Sequence, residues 1–363
     1  NLTGFGIFDQ LYNNRTAVSE QTNNFFSIFV TLAYSLKNRY VFNFNVRNDA
    51  SNRFGQDVNK RFDPTYSLGA SWRVSEESFM QNQSWLSSLN LKVTWGIQGN
   101  VLTNKSPELI LYQQGVANIY NEYYSTISSI PNPNLSWERT HSWNFGVDMQ
   151  LLRKVNVNID YYLRKSNAIL SQKIPWENGR GEMSVNGGII YNEGIEFTIA
   201  LTPINTKNFG LNLSVNSSKN WNSAGKSSAN QEPTLGDYLN GSSERLVKKG
   251  YPIGAMWSFA FKGLNPENGW PEFKYLETTE GQSYDGDMTS FLVYSGQKDP
   301  YFTGGLNLNI RYRSFTLGTS FSLLLGGKTR LISPYADLNG GRYMPSPEKN
   351  VTRDLSKRWK KPG

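Results

Sequence analysis

The chain has 363 residues, a net charge of +8 and no cysteine, so it has no disulfide, no thiol nucleophile and no thiolate metal site. Its mean hydropathy is −0.53 and it contains no run of about 18 apolar residues, which excludes a helical membrane span but leaves open a β-barrel, half of whose wall faces water. Lys and Arg are scattered over turns and loops, apart from Lys357, Arg358, Lys360 and Lys361, which reads as ordinary surface charge and points to no nucleic-acid partner.

Residues 1–22 carry no clear period. From Asn24 onward, Phe26, Ile28, Val30, Leu32 and Tyr34 share one parity, and a tight turn at 36–39 follows. The stretch 38–49 has the clearest pattern: Tyr40, Phe42, Phe44 and Val46 alternate with Val41, Asn43, Asn45, Arg47 and Asp49. Successive side chains of a strand point to opposite faces, so this strand has one apolar face and one that is almost wholly polar. Residues 50–61, with Gly55, read as a loop. Tyr66, Leu68, Ala70, Trp72 and Val74 then oppose Ser67, Gly69, Ser71 and Arg73. After 75–88, which has room for a helical turn, Leu89, Leu91, Val93, Trp95 and Ile97 oppose Asn90, Lys92, Thr94, Gly96 and Gln98.

A long polar stretch, 99–139, contains the turn-forming Pro131-Asn132-Pro133-Asn134. His141, Trp143, Phe145, Val147, Met149 and Leu151 make the next apolar face, and after a turn at 152–154 Val155, Val157, Ile159, Tyr161 and Leu163 make another, opposite Asn156, Asn158, Asp160, Tyr162 and Arg164. Loop 165–191 leads to Ile195, Phe197, Ile199 and Leu201, a turn at 203–208, and a return through Phe209, Leu211, Leu213 and Val215. After loop 217–252, Ala255, Trp257, Phe259 and Phe261 resume the alternation, and 271–276 supplies the ascending strand that the next tight turn requires. Phe302, Leu306, Leu308, Ile310 and Tyr312, a turn at Arg313-Ser314, and Phe315, Leu317, Phe321, Leu323 and Leu325 complete the series.

The expectation is therefore an all-β, antiparallel transmembrane barrel wall of about twelve strands, apolar toward lipid and polar toward a lumen, with short and long connections alternating. Its abundant aromatics, 10 Trp, 20 Tyr and 20 Phe, suit the aromatic girdles of such a wall. Two other readings stay open on the pattern alone: a passive porin-like barrel, and a soluble glycan-binding β-protein whose apolar faces are buried against a second sheet.

No reaction chemistry is expected. Glu76-Glu77 and Asp285-Gly286-Asp287 read as solvated loop charge, and the latter is too bare a pattern for a Ca²⁺ site. His141, the single His, sits at a strand start on the outward parity, where it cannot form a His pair on a metal and reads as an interfacial residue rather than a member of a catalytic triad. No metal site and no cofactor is expected. Candidate binding residues are of two kinds. Arg47, Asp49, Arg73 and Arg164 have lumen parity and can line a cargo path or anchor an internal domain. Trp176, Trp221, Tyr238 and Trp270, with Tyr112, Tyr120, Tyr123 and Tyr124, fall in predicted loops, where aromatic rings stack on sugars or pack against a protein lid.

Several stretches carry a resemblance. The run 39–49 with Ser51, Arg53, Phe54 and Gly55 is similar to the strand-and-loop signature of the SusC/RagA family of TonB-dependent outer-membrane transporters. In the same order come 71–80 (SWRVSEESFM), 95–100 (WGIQGN), 131–138 (PNPNLSWE), 192–197 (NEGIEF), 250–254 (GYPIG), 300–306 and 354–363 (DLSKRWKKPG). The resemblance implies that residues 1–363 belong to a larger barrel of about 22 strands, whose plug domain, TonB-contacting N-terminal segment and closing strand are not in this sequence. It further implies import of a nutrient, oligosaccharide or in some members peptide, with a SusD-like surface lipoprotein as lid and energy from the TonB complex.

Overall fold

The computed structural model describes residues 24–51, 62–100, 108–117, 122–227, 233–241, 248–274 and 288–330, with Arg353, Ser356 and 359–362. Arg53, Phe54, Gly55, Tyr120, Asp285, Asp287, Lys357 and Arg358 lie outside the described residues, as does the side chain of Tyr123.

Where apolar and polar residues alternate, the chain forms long strands: β1 (Phe25–Leu36), β2 (Tyr40–Ser51), β3 (Phe62–Arg73) and β4 (Leu86–Asn100). A hairpin of β5 (Ile110–Ala117) and β6 (Glu122–Ser129) follows. Then come β7 (Glu138–Leu151), β8 (Val155–Lys173), β9 (Glu182–Asn205) and β10 (Phe209–Ala224). Four short strands, β11 (Ala255–Phe259), β12 (Phe261–Leu264), β13 (Pro271–Phe273) and β14 (Leu292–Gln297), precede the long β15 (Phe302–Tyr312) and β16 (Phe315–Leu325). Ten of these make one antiparallel sheet in the order β1-β2-β3-β4-β7-β8-β9-β10-β15-β16. The other six pair among themselves as β5-β6, β11-β14 and β12-β13.

Among the described residues the wall therefore has ten strands where about twelve were expected. The alternation at Ala255–Phe259 is real, but that strand pairs with β14 and buries its apolar side in a loop core, with Ala255 and Trp257 at 2% and 4% exposed. The expected ascending strand is the three-residue β13. Removing both leaves β10 directly beside β15, joined by one long connection.

Register puts like beside like. Leu32, Phe44, Leu68, Trp95, Trp143 and Leu163 form one row across six strands. Asn45, Ser67, Gly96, Ser142, Arg164, Asn192 and Asn222 form a row of the opposite parity across seven. The apolar face is open: Leu32, Leu68 and Trp143 are 59%, 47% and 45% exposed. Among the described residues no second sheet covers it, contrary to what a soluble sandwich requires. Each such side chain gains about 1.5–3 kcal/mol on leaving water, so a face of this extent is stable only against lipid or a comparable apolar surface. An aromatic chain runs along it through Tyr66, Trp95, Trp143, Phe145 and Tyr161, with ring centroids 5.5–6.4 Å apart.

Tight reversals sit at one end of the sheet. Lys37-Asn38 and Leu152-Arg153 all have positive φ, as a two-residue hairpin turn matched to strand twist demands. At the same end Glu77 is buried in the β3–β4 turn and not solvated as expected. Tyr40 Oη donates to it at 2.6 Å, Trp72 Nε1 at 3.1 Å and Arg39 Nη1 at 3.0 Å.

Candidate functional site

The inner face is a ladder of small polar side chains. Asn45 donates to Ser67 Oγ at 3.1 Å, Asn144 to Thr94 Oγ1 at 3.2 Å, Asn158 to Asp148 at 2.5 Å and Asn222 to Asn192 at 2.6 Å. Asn45, Arg47, Thr65, Ser67, Thr94, Gln98, Ser142 and Asn144 surround a hollow of about 340 Å³. Gly96 stands in its floor because β3 comes close: an added β-carbon would meet Ser67 Cβ at 2.9 Å. Nearer the turn end, Lys92 pairs with Asp148 at 2.5 Å.

Among the described residues, the clusters of buried apolar side chains, by contrast, lie at the loop end. Leu135, fully buried, packs with Trp137 and Ile169. The PNPNLSWE stretch is pinned there: Asn132 Nδ2 donates to the Ser184 carbonyl at 2.8 Å, and Asn186 exchanges two hydrogen bonds with the Ser136 backbone at 2.8 and 2.9 Å. Glu138 accepts from the Ile169 N–H at 2.8 Å, at the bulge where β8 and β9 slip register. A second core holds Tyr238, Ala255, Trp257, Phe291 and Leu292. Tyr238 lies on a short helix, α1 (Leu235–Asn240), whose N-terminus is closed by a capping box between Thr234 and Asp237. Trp257 is ringed by Tyr251, Tyr294 and Tyr238 at 4.8, 5.8 and 5.9 Å. Arg330, past β16, donates to the Trp257 carbonyl at 2.5 Å and also to that of Leu239, tying its own segment to this body.

The residues singled out from sequence are dispersed. Arg47 and Asp49 form an ion pair at 2.7 Å, with Arg47 also donating to Ser27. Arg164 lies in register with Ser142, its guanidinium 4.5 Å over the Tyr162 ring. Arg73 is at the turn end, donating to the Asn38 carbonyl at 3.4 Å, far along the strand from the loops. Trp176 and Trp270 stand at loop tips, 79% and 67% exposed. Trp221 is not a loop residue. It belongs to β10, paired with Glu193 on the outward parity, with Lys219 Nζ 4.8 Å over its ring. Tyr238, 6% exposed, is occupied in packing, because its helix buries that side against Trp257. Tyr112 and Tyr124 project from the β5–β6 hairpin, 61% and 49% exposed. His141 pairs with Lys165 and Ile97 on the outward parity.

The family profile described as TonB dependent receptor-like, beta-barrel matches residues 1–328. The chain belongs to the TonB-dependent receptor-like β-barrel family. It is 34% identical over 323 residues to the TonB-dependent receptor SusC of Bacteroides thetaiotaomicron, covering 83% of this chain and 31% of that protein. It is 26% identical to TonB-dependent receptor P26 of Formosa agariphila, covering 93% of this chain and 32% of that one. Among solved structures, the RagAB peptide transporter superposes with a TM-score of 0.69 at 22% identity, over 84% of this chain and 34% of that one, a likeness of fold. The chain thus spans about a third of the length of the curated relatives it matches. In this family of outer-membrane transporters and receptors, tight turns face the periplasm and long loops the exterior.

For a barrel of this family, sequence reading passed over three features: the triple-donor seat of Glu77, the PNPNLSWE anchor as a structural device, and Gly194. Gly194 stands directly across from Tyr162, and an added β-carbon there would collide with the Tyr162 ring. The ring lies over the glycine, and its hydroxyl donates to Asn220 Oδ1 at 3.2 Å. The NEGIEF motif carried that glycine in plain view, but its partner is known only from register.

Proposed function

We propose that this chain forms wall, loops and part of the cargo cavity of a TonB-dependent importer in a bacterial outer membrane. The observation that carries the reading is the division of one sheet into an open apolar face and an inner polar face, with the buried apolar clusters among the described residues lying at the loop end. A wall in lipid needs that division, and an exterior loop body is where cargo and a lid would dock. The cargo is an oligosaccharide, or alternatively a peptide. A SusD-like surface lipoprotein captures it, exposed Trp176 and Trp270 with the inner Arg47, Asp49 and Arg164 contact it, and the TonB complex supplies the energy for release inward. RagAB, described as a peptide transporter, supports the peptide alternative by likeness of fold alone.

The test uses the whole gene product in its native outer membrane. Extraction should require detergent, a surface lipoprotein should co-purify, and nutrient uptake should stop when TonB is deleted. Uptake or channel conductance that continues without TonB would mark a passive pore, and a water-soluble species would overturn the membrane assignment.

A further inference from the structure

Most of the inner-face cations are spoken for. Arg47 is paired with Asp49, Lys92 with Asp148, and Arg311 donates to the Thr206 and Lys207 carbonyls at 2.8 and 3.0 Å. Arg164 differs. It is exposed, its guanidinium rests on the Tyr162 ring, and among the described residues it has no carboxylate or carbonyl partner. Its support is itself held in place, since Tyr162 lies over Gly194 and is tethered to Asn220. Directly across the register stands Ser142, only 5% exposed, whose buried Oγ has no hydrogen-bond partner among the described residues. A buried hydroxyl without a partner costs about 1–3 kcal/mol, which a ligand reaching it after a small shift of the side chain would recover. Ser142 lines the hollow with Asn45, Arg47 and Gln98, Arg164 stands next to Ser142 in register but outside that lining, and the Asn192–Asn222 amide pair continues the row beyond Arg164.

We infer that Arg164 and Ser142 form an anion subsite for a carboxylate carried by the cargo. A guanidinium presents a planar fork that matches a carboxylate with two parallel N–H donors, and stacking on an aromatic face orders that fork before the ligand arrives. The Ser142 hydroxyl adds a donor at the side. The position favours cargo over an internal domain as the source of the anion. Ser142 stands four residues from the loop end of β7 and nine from its turn end, so a molecule entering between the loops reaches the site early. The inference rests on the importer reading and adds the charge of the substrate to it.

The experiment measures uptake by cells carrying the full-length transporter and its lipoprotein. Two matched probe pairs are used: oligogalacturonate against its methyl ester, and a Glu-rich peptide against its Gln counterpart. The expected result is TonB-dependent uptake of at least one charged member in preference to its neutral twin. Arg164→Gln lowers that uptake about ten- to a hundredfold and lowers uptake of the neutral twin several-fold less. Gly194→Ala, which displaces Tyr162 without touching the cation, produces the same charge-selective loss in smaller measure. Arg153→Gln, at the turn end of the same hairpin, alters neither probe. The pair that responds identifies sugar or peptide as the source of the carboxylate. Absence of uptake of both charged probes, no preference over the neutral twins, or an equal fall for both members in Arg164→Gln overturns the subsite. Uptake that persists without TonB overturns the importer reading instead, whatever Arg164 does.

Discussion

At the scale of single residues, Glu77 shows how one carboxylate fixes a turn. Its side chain is 11% exposed, and its donors come from β2, from β3 and from Arg39 between β1 and β2. Hydrogen bonds from Tyr40 and then Trp72 hold its carboxyl below the usual range, against burial, and the Arg39 charge adds to them. Because the folded value is depressed, the stabilisation is present above the unfolded carboxyl value of about 4.3 and is lost as pH falls through the folded one. The Glu77 and Met80 amides, bonded to the Val74 and Glu77 carbonyls, report the turn. Their hydrogen-exchange protection should be flat at neutral pH and drop in acid. Glu77→Gln should start less protected at pH 7 and show no acid step; an acid step of wild-type size in that variant would assign the titration elsewhere.

At the scale of elements, the loops are the folded body and the wall is a single layer. Trp257 is the keystone of the larger loop core, at 4% exposure among three tyrosines. Trp257→Ala should cost that body about 3–5 kcal/mol of local stability. Faster proteolysis within residues 225–301, with the wall's resistance unchanged, is the expected readout; loss of the wall as well would mean the two are one cooperative unit. Leu135→Ala, at a fully buried position, should likewise cost about 2–5 kcal/mol, read from exchange at the Ile169 amide held by Glu138. These elements also mark where sequence reading stopped. Period two identified all ten wall strands and their faces, because lipid and lumen impose it on every one, but it read 165–173, 182–191 and 217–224 as loop where β8, β9 and β10 continue. The same period at Ala255–Phe259 arises from packing on Trp257's neighbours, and alternation does not say which apolar surface a strand faces. Arg47 and Arg164 were legible as inner-face residues from parity alone. Ser142's orphan hydroxyl and the Tyr162–Gly194 seat were not, since both depend on which residue of one strand meets which of the next. Loop aromatics misled for a related reason: Tyr238 and Trp221 sit in polar sequence, but a capped helix buries the first and an extended β10 carries the second outward.

At the scale of the whole molecule, the two faces of the sheet should respond to the same charge in opposite ways. Val147 lies outward on β7, in register with Leu91 and Ile159, while Asn144, three residues away, lies inward beside Thr94. Arginine on the lipid face near the bilayer midplane costs about 2–4 kcal/mol, whereas a lumen position stays hydrated and alters selectivity more than stability. Val147→Arg should therefore lower the unfolding free energy of the full-length protein, refolded into lipid vesicles, by that amount. Asn144→Arg should change it by about 0.5 kcal/mol or less, the ordinary range for a hydrated surface site. Equal costs at the two positions would mean that both faces meet the same solvent, and the sheet would then not be the wall of a barrel. The predicted asymmetry would tie alternation in sequence to a boundary between oil and water running along each strand, the condition under which a single layer without a core of its own is stable.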